Sequence, residues 1–384
     1  MLAKITNVDI MAEDGMIQGG ELYVQNGKIA EIGTNLGRIV DIVWDGCGMT
    51  LVPGFIDLHV HGGAGYDFMD HTQEAVDAIC RFHASHGTTS LLATTMTAPI
   101  AELKEVIRFY KQLCRGVGAE ILGLHLEGPF IHPGYMGAQN GEWIASPSFA
   151  NMKELLAFAG DGIVRMMTLA PELVEEDVFA YLQQQGILMS VGHSDVDYHG
   201  GCECIRKGVR HVTHLGNAMR PFHHRNIGII GLIMEQPKFS FDIIVDGVHV
   251  APEFIRLLSR ICHPKQILLI TDAIRAAGLG DGQYDLGGQE VIVCNGEARL
   301  RSGVLAGSLL TLDVALKNVI KYTDKSLVNA IDYLTINPAS KLGIDGHKGS
   351  IKVGKDADLV LLDQELRVQA TWVRGQLVYQ AGDF

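Results

Sequence analysis

Eight times between Val52 and Asp345, a short run of Val, Ile, Leu and similar residues gives way to a loop and then an amphipathic stretch. Five of those runs end on side chains that can bind a metal: His59 and His61 in FIDLHVH, Glu127 in ILGLHLEG, His193 in ILMSVGHS, His214 in HVTHLGNAM and Asp272 in ILLITDA. A strand buried on both faces is continuously apolar, so a polar residue at its C-terminal tip needs a reason. In a (β/α)8 barrel the reason is function, because functional groups gather at that face. The runs are GFIDLHV, TTSLLATT, EILGLHLE, IVRMMTLA, GILMSVGH, RHVTHLG, FSFDIIVDG and QILLITDA, and amphipathic segments such as QEAVDAICRFHASHG and APEFIRLLSRICHP separate them. The predicted class is therefore α/β, a (β/α)8 TIM barrel. A doubly wound open sheet is disfavoured, since only a closed ring brings the first, third, fifth, sixth and eighth strand tips to a common centre.

Both ends of the chain have a different texture. LAKITNVDI, GELYVQNGKIAEIG with its Asn26-Gly27 hairpin signal, and RIVDIVWDG are short strands and turns, as are GSIKVGKDADLVLLD, RVQATWVRGQ and LVYQAG. The expected organisation is a small β-sandwich from residues 1–52 and 346–384 beside a catalytic barrel over residues 53–345.

Composition excludes several function classes. Forty-four acidic against 31 basic residues leave a formal charge of −13, which argues against a nucleic-acid surface. No run approaches the roughly 20 apolar residues of a membrane span, and the N-terminus lacks a signal-peptide pattern, so a cytoplasmic protein is expected. The seven cysteines are scattered without paired C-x-x-C spacing and are expected to be reduced thiols, mostly buried.

His59-x-His61 places two imidazoles on one side of a strand, because strand side chains alternate with period two. Alone, such a pair is as readily two unrelated histidines. With Glu127, His193, His214 and Asp272 on other strand tips it becomes a nitrogen and oxygen donor set suited to zinc, iron, manganese or cobalt. Asp272 also fits a helix N-cap after a strand.

In order along the chain, PGFIDLHVHGG, HLEGPF, VGHS, HLGNAM followed by PFHHR, DGVHV, TDA and LAGS resemble the amidohydrolase superfamily, and within it the N-acetylglucosamine-6-phosphate deacetylases. The resemblance covers essentially the whole chain. It implies a barrel of the metal-dependent hydrolase type with a terminal β-sandwich, acting on N-acetyl-D-glucosamine 6-phosphate. It implies one or two divalent ions held by Glu127, His193 and His214, with Asp272 as catalytic carboxylate and His59 and His61 available for a second ion. Gln139 stands where the family commonly has a histidine proposed to stabilise the oxyanion. Further implied are a phosphate grip by Arg225 and His249, near the interface of a homodimer, and a sugar pocket lined by Ala138, Asn217, Ala218, Asp246, Leu305, Ala306 and Gly307.

Alternatives within the same resemblance are a deacetylase for the galacto epimer, or a catalytically silent binding protein of the same fold. The complete ligand set disfavours the latter. Cyclic amidases and deaminases commonly bridge two metals with a lysine, and no lysine stands at a strand tip here.

Overall fold

Each of the eight apolar runs forms a strand: Phe55–Val60 (β1), Thr88–Thr95 (β2), Glu120–Glu127 (β3), Val164–Leu169 (β4), Leu188–Val191 (β5), His211–Val212 (β6), Ser240–Ile244 (β7) and Ile267–Ile270 (β8). The computed structural model describes residues 2–113, 116–160 and 162–382. β1, β2, β7 and β8 are buried at every position, which explains their unbroken apolar texture. Neighbours pair in parallel from β1 round to β8, and a helix follows each strand. The first, Gln73–Ser85 (α1), shows the design. Thr72 caps it by accepting from the Ala75 N–H, and Ala75, Val76, Ile79, Cys80, His83 and Ala84 form its buried stripe.

Backbone bonds just above the strands close the seam between β1 and β8. The Asp272 N–H donates to the His59 carbonyl at 2.9 Å, and the His61 N–H to the Ala273 carbonyl at 2.9 Å. Beneath them, buried Asp57 accepts from the His59 N–H at 3.1 Å, the Thr271 N–H at 3.3 Å and the Thr271 hydroxyl at 2.6 Å. Three of the four residues whose main chain closes the barrel, His59, His61 and Asp272, thus carry metal-competent side chains.

The terminal segments form one seven-stranded sheet, in the order Gln376–Gln380, Val368–Val373, Leu359–Leu362, Ile42–Pro53, Leu2–Ala12, Gly15–Gln25, Lys28–Gly33. Asn26 and Gly27 both have positive φ (52° and 77°), as the hairpin signal requires. The sheet curls over a core of its own that includes Ile5, Ile10, Leu22, Leu359 and Trp372. The edge strand Lys28–Gly33 and its hairpin are tied to the segment that enters Leu359–Leu362, where the Ala357 N–H donates to the Gly27 carbonyl and the Ile29 N–H to the Lys355 carbonyl.

One element is absent from the sequence reading. Gly282–Leu286, Gln289–Cys294 and Glu297–Leu300 form a three-stranded antiparallel sheet between β8 and the helix Leu312–Thr323. Its apolar face packs with Met96, Ala138, Ile274 and Ala306, roofing the barrel mouth. Of the described cysteines, Cys80, Cys204 and Cys262 are buried, Cys202 is half-buried, and Cys47 and Cys294 are exposed, all as free thiols. Burial is thus less general than expected, and Cys114 lies outside the described residues.

Candidate metal centre

Three of the site residues share an unusual backbone. His193, His214 and Asp272 each stand two residues beyond a strand end and adopt left-handed φ values of 49°, 34° and 51°. Non-glycine residues enter that region at a cost of about 1–3 kcal/mol. The turn swings each side chain back over the barrel axis instead of onward along the strand. Local bonds hold the strain in place. Asp242 accepts the His214 N–H and, through its other oxygen, faces His211 Nε2 at 3.0 Å. The His193 carbonyl accepts from the His132 N–H, and the Asp272 carbonyl from the Ser308 N–H.

The side chains converge in two groups, His59, His61 and Asp272, and Glu127, His193 and His214, each with its donor atoms within 4.8 Å of one another. Glu127 Oε1 lies 3.1 Å from His193 Nε2, 3.0 Å from His214 Nε2 and 3.5 Å from His59 Nε2, while Oε2 lies 3.3 Å from His61 Nε2. Asp272 Oδ1 is 3.4 Å from His59 Nε2 and 3.3 Å from His61 Nε2. Glu127 therefore joins the two groups.

This donor set fits a metal on two independent counts. A tetrahedral ion bound at about 2.0–2.1 Å spaces its nitrogen ligands roughly 3.3 Å apart, and the His59–His61 and His193–His214 Nε2 pairs are both 3.2 Å apart. The second count is charge. Burial alone would raise Glu127, yet His59, His193 and His214 hold it well below the usual carboxylate range. Burial would likewise raise Asp272, but His59 and His61 keep it low. Conversely, burial opposes protonation of His214, yet Glu127 above all lifts it to about 9. Two buried carboxylates thus demand positive charge at their centre. His193 Nδ1 lies 2.9 Å from the Tyr135 carbonyl; donation there leaves Nε2 free as a ligand.

Above the donors opens a cavity of about 310 Å³, at the lower edge of small-molecule sites. Of the residues expected to line it, Ala138, Gln139, Asn217, Ala218, His249, Leu305 and Gly307 do so, together with His61, Glu127, His193, His214 and Asp272. Ala306 is fully buried behind that wall. Asp246 accepts from His249 Nδ1 at 2.6 Å, which fixes the ring of this lining residue and leaves Nε2 unprotonated as an acceptor or open to protonation. Arg225 stands outside it, exposed, with Nη1 against His224 Nε2 at 2.8 Å. Gln139 is buried, held by the Thr97 N–H donating to Oε1 at 2.7 Å, and donates from Nε2 to Glu127 Oε2 at 2.6 Å.

The sequence reading missed Met96, Leu286, Arg299 and Val304, which also line the cavity. Leu286 and Arg299 come from the roofing sheet. Gly287-Gly288 and Asn295-Gly296, all with positive φ, were the hairpin signals that could have revealed it.

The sequence profile of the amidohydrolase family matches residues 50–378, most of the chain. The chain belongs to the amidohydrolase family. It is 36% identical over 383 residues to the N-acetylglucosamine-6-phosphate deacetylase of Bacillus subtilis (strain 168), covering 98% of this chain and 96% of that protein. It is also 36% identical, over 371 residues, to the N-acetylgalactosamine-6-phosphate deacetylase of Escherichia coli O157:H7, covering 96% and 97%. Among solved structures, a variant N-acetyl-D-glucosamine-6-phosphate deacetylase from Mycobacterium smegmatis in complex with N-acetyl-D-glucosamine-6-phosphate superposes with a TM-score of 0.90, at 30% identity and 99% coverage of each chain. Like other amidohydrolases, the chain pairs a barrel with metal-competent strand tips.

Proposed function

We propose that this amidohydrolase removes the acetyl group from N-acetyl-D-glucosamine 6-phosphate, giving D-glucosamine 6-phosphate and acetate. The observation that carries the reading is the convergence of Glu127, His193, His214, His59, His61 and Asp272 on the floor of a cavity that Gln139 and His249 also face.

Glu127, His193 and His214 would hold one divalent ion, zinc first among zinc, iron, manganese and cobalt, and His59, His61 and Asp272 have the donors for a second. When bound, such an ion lowers the pKa of water toward about 7 and polarises a carbonyl. Asp272, kept ionised by His59 and His61, accepts the proton of the water that attacks the acetyl carbonyl and passes it to the departing sugar nitrogen. The second amide hydrogen of Gln139 meets only a weak acceptor, Met96 Sδ at 3.9 Å, which the oxygen that gains charge would replace as its partner. Asn217, Ala218, Leu305 and Gly307 wall the sugar, and His249 Nε2 faces its phosphate.

A homodimer belongs to the same proposal. Exposed Phe222, His223, His224 and Arg225 form a protruding segment, and Arg225 would there complete a neighbouring subunit's phosphate site. So does cytoplasmic residence, which the six unpaired thiols among the described residues suit.

The test is acetate release from N-acetylglucosamine 6-phosphate and from its galacto epimer, with metal content measured on the same sample and a chelated control. Chelator-sensitive turnover of the gluco compound is expected. Preference for the galacto compound would favour the second reading, which the equal similarity to the Escherichia coli enzyme supports. Metal-loaded protein inactive on both would refute the proposal.

A further inference from the structure

Among the described residues lining the cavity, Arg299 alone carries a permanent positive charge. It reaches the cavity through the roofing sheet. Arg299 bridges to Leu305, and three residues further on the Ser308 N–H donates to the Asp272 carbonyl at 2.8 Å. Arg299 and Asp272 line the same cavity from two different segments, the roofing sheet and the tip of β8. On a pyranose, C2 and the phosphate on O6 occupy opposite ends of the ring.

The guanidinium is held but not saturated. Glu297 Oε2 receives Nε and Nη2, each at 2.8 Å, and the Gly303 carbonyl receives Nη1 at 2.7 Å. Neither Glu297 nor Gly303 lines the cavity that Arg299 lines. Of the five N–H donors of an arginine, one on each terminal nitrogen remains, which together form the fork that matches two oxygens of a phosphate. The turn over residues 300–304, with the Leu300 N–H on the Val304 carbonyl and the Gly303 N–H on the Leu300 carbonyl, fixes the backbone beside it.

We propose that Arg299 is a specificity-determining residue that binds the 6-phosphate of the substrate from within the same subunit, together with His249. The proposal rests on the sugar phosphate reading above. It gives the roofing sheet a role: it carries the cation that admits phosphorylated sugars and leaves unphosphorylated ones weakly held.

The experiment compares wild type, R299Q and R299K, all metal-loaded, by calorimetric binding of glucosamine 6-phosphate and of glucosamine and by kcat and KM on N-acetylglucosamine 6-phosphate. A lost charge-assisted contact corresponds to roughly 10- to 100-fold in affinity. R299Q is expected to weaken glucosamine 6-phosphate by that factor and raise KM similarly, with glucosamine binding and melting temperature unchanged. R299K, which keeps charge but loses the fork, falls between. Equal effects of R299Q on the two sugars, or none on the phosphorylated one, would overturn the assignment. Wild-type protein that binds glucosamine 6-phosphate yet deacetylates neither sugar phosphate would instead sink the deacetylase reading and leave the phosphate contact standing.

Discussion

Gln139 is given two tasks that a pair of substitutions can separate. In Gln139→Ala the Thr97 N–H loses its buried acceptor, which costs about 1–3 kcal/mol of stability. Glu127 Oε2 loses the donor at 2.6 Å, and the acetyl oxygen loses its amide partner in the transition state. Removing one such donor lowers kcat by roughly 10²- to 10³-fold. KM should move little, since the amide bonds to charge that appears only as the reaction proceeds. The assay is kcat and KM at saturating metal, with metal content by mass spectrometry and stability by urea denaturation. Gln139→His sharpens it. An imidazole N–H can again donate to the oxyanion, but a protonated or cavity-facing ring cannot accept the Thr97 N–H in the same geometry. That variant is expected to recover much of kcat while staying destabilised. A Gln139→Ala enzyme with kcat within about threefold of wild type at full metal loading would refute the oxyanion role. A large loss of metal, restored activity following metal readdition, would reduce Gln139 to a support for Glu127.

Other expectations are simpler to state. Asp272→Asn should lower kcat by at least about 10³-fold while the Glu127, His193 and His214 group keeps its metal, as general acid–base groups contribute about 10²- to 10⁴-fold; retained turnover would remove Asp272 as the proton carrier. Gly307 has φ 60°, and a Cβ there would lie 2.4 Å from Ile274 Cγ2 and 3.0 Å from the Asp272 carbonyl, so Gly307→Ala should cost about 1–3 kcal/mol and displace Asp272, read as a lower melting temperature with a lower kcat. His83 is fully buried, Nε2 on the Gly62 carbonyl at 3.0 Å, and burial pushes it down to about 4. The unfolded chain then binds this proton first, so stability is intact above about pH 6.5 and falls by about 3 kcal/mol as pH drops through 4. In His83→Gln that part of the acid slope should vanish from urea titrations between pH 4 and 7, and an unchanged slope would contradict the assignment.

The barrel was legible because burial on both faces writes itself into composition: all eight runs are strands, and TTSLLATT and EILGLHLE match theirs end to end. The ligand types were legible because a carboxylate or imidazole after such a run has little other use. Strand ends were less so. His193, His214 and Asp272 lie beyond the ladders, in left-handed turns that His and Asp enter more often than other side chains but still uncommonly. Their cost is met by Asp242, Ser308 and the β1–β8 seam, contacts between residues far apart in sequence. The roofing sheet went unread because its alternating QEVIVC and EARL segments are short and follow the last barrel strand, where a helix was expected.

The amino-acid sequence by itself determined the order of strands and helices, the choice of donor atoms and the strand tip each one occupies. These follow from local periodicity and side-chain chemistry. Tertiary structure decided which donors share an ion-sized space, that Glu127 faces both groups, and that Arg299 rather than Arg225 lines this subunit's own cavity. Those are matters of ring closure and of distances of a few ångströms between residues as far apart in sequence as His59 and Asp272, which no local pattern encodes.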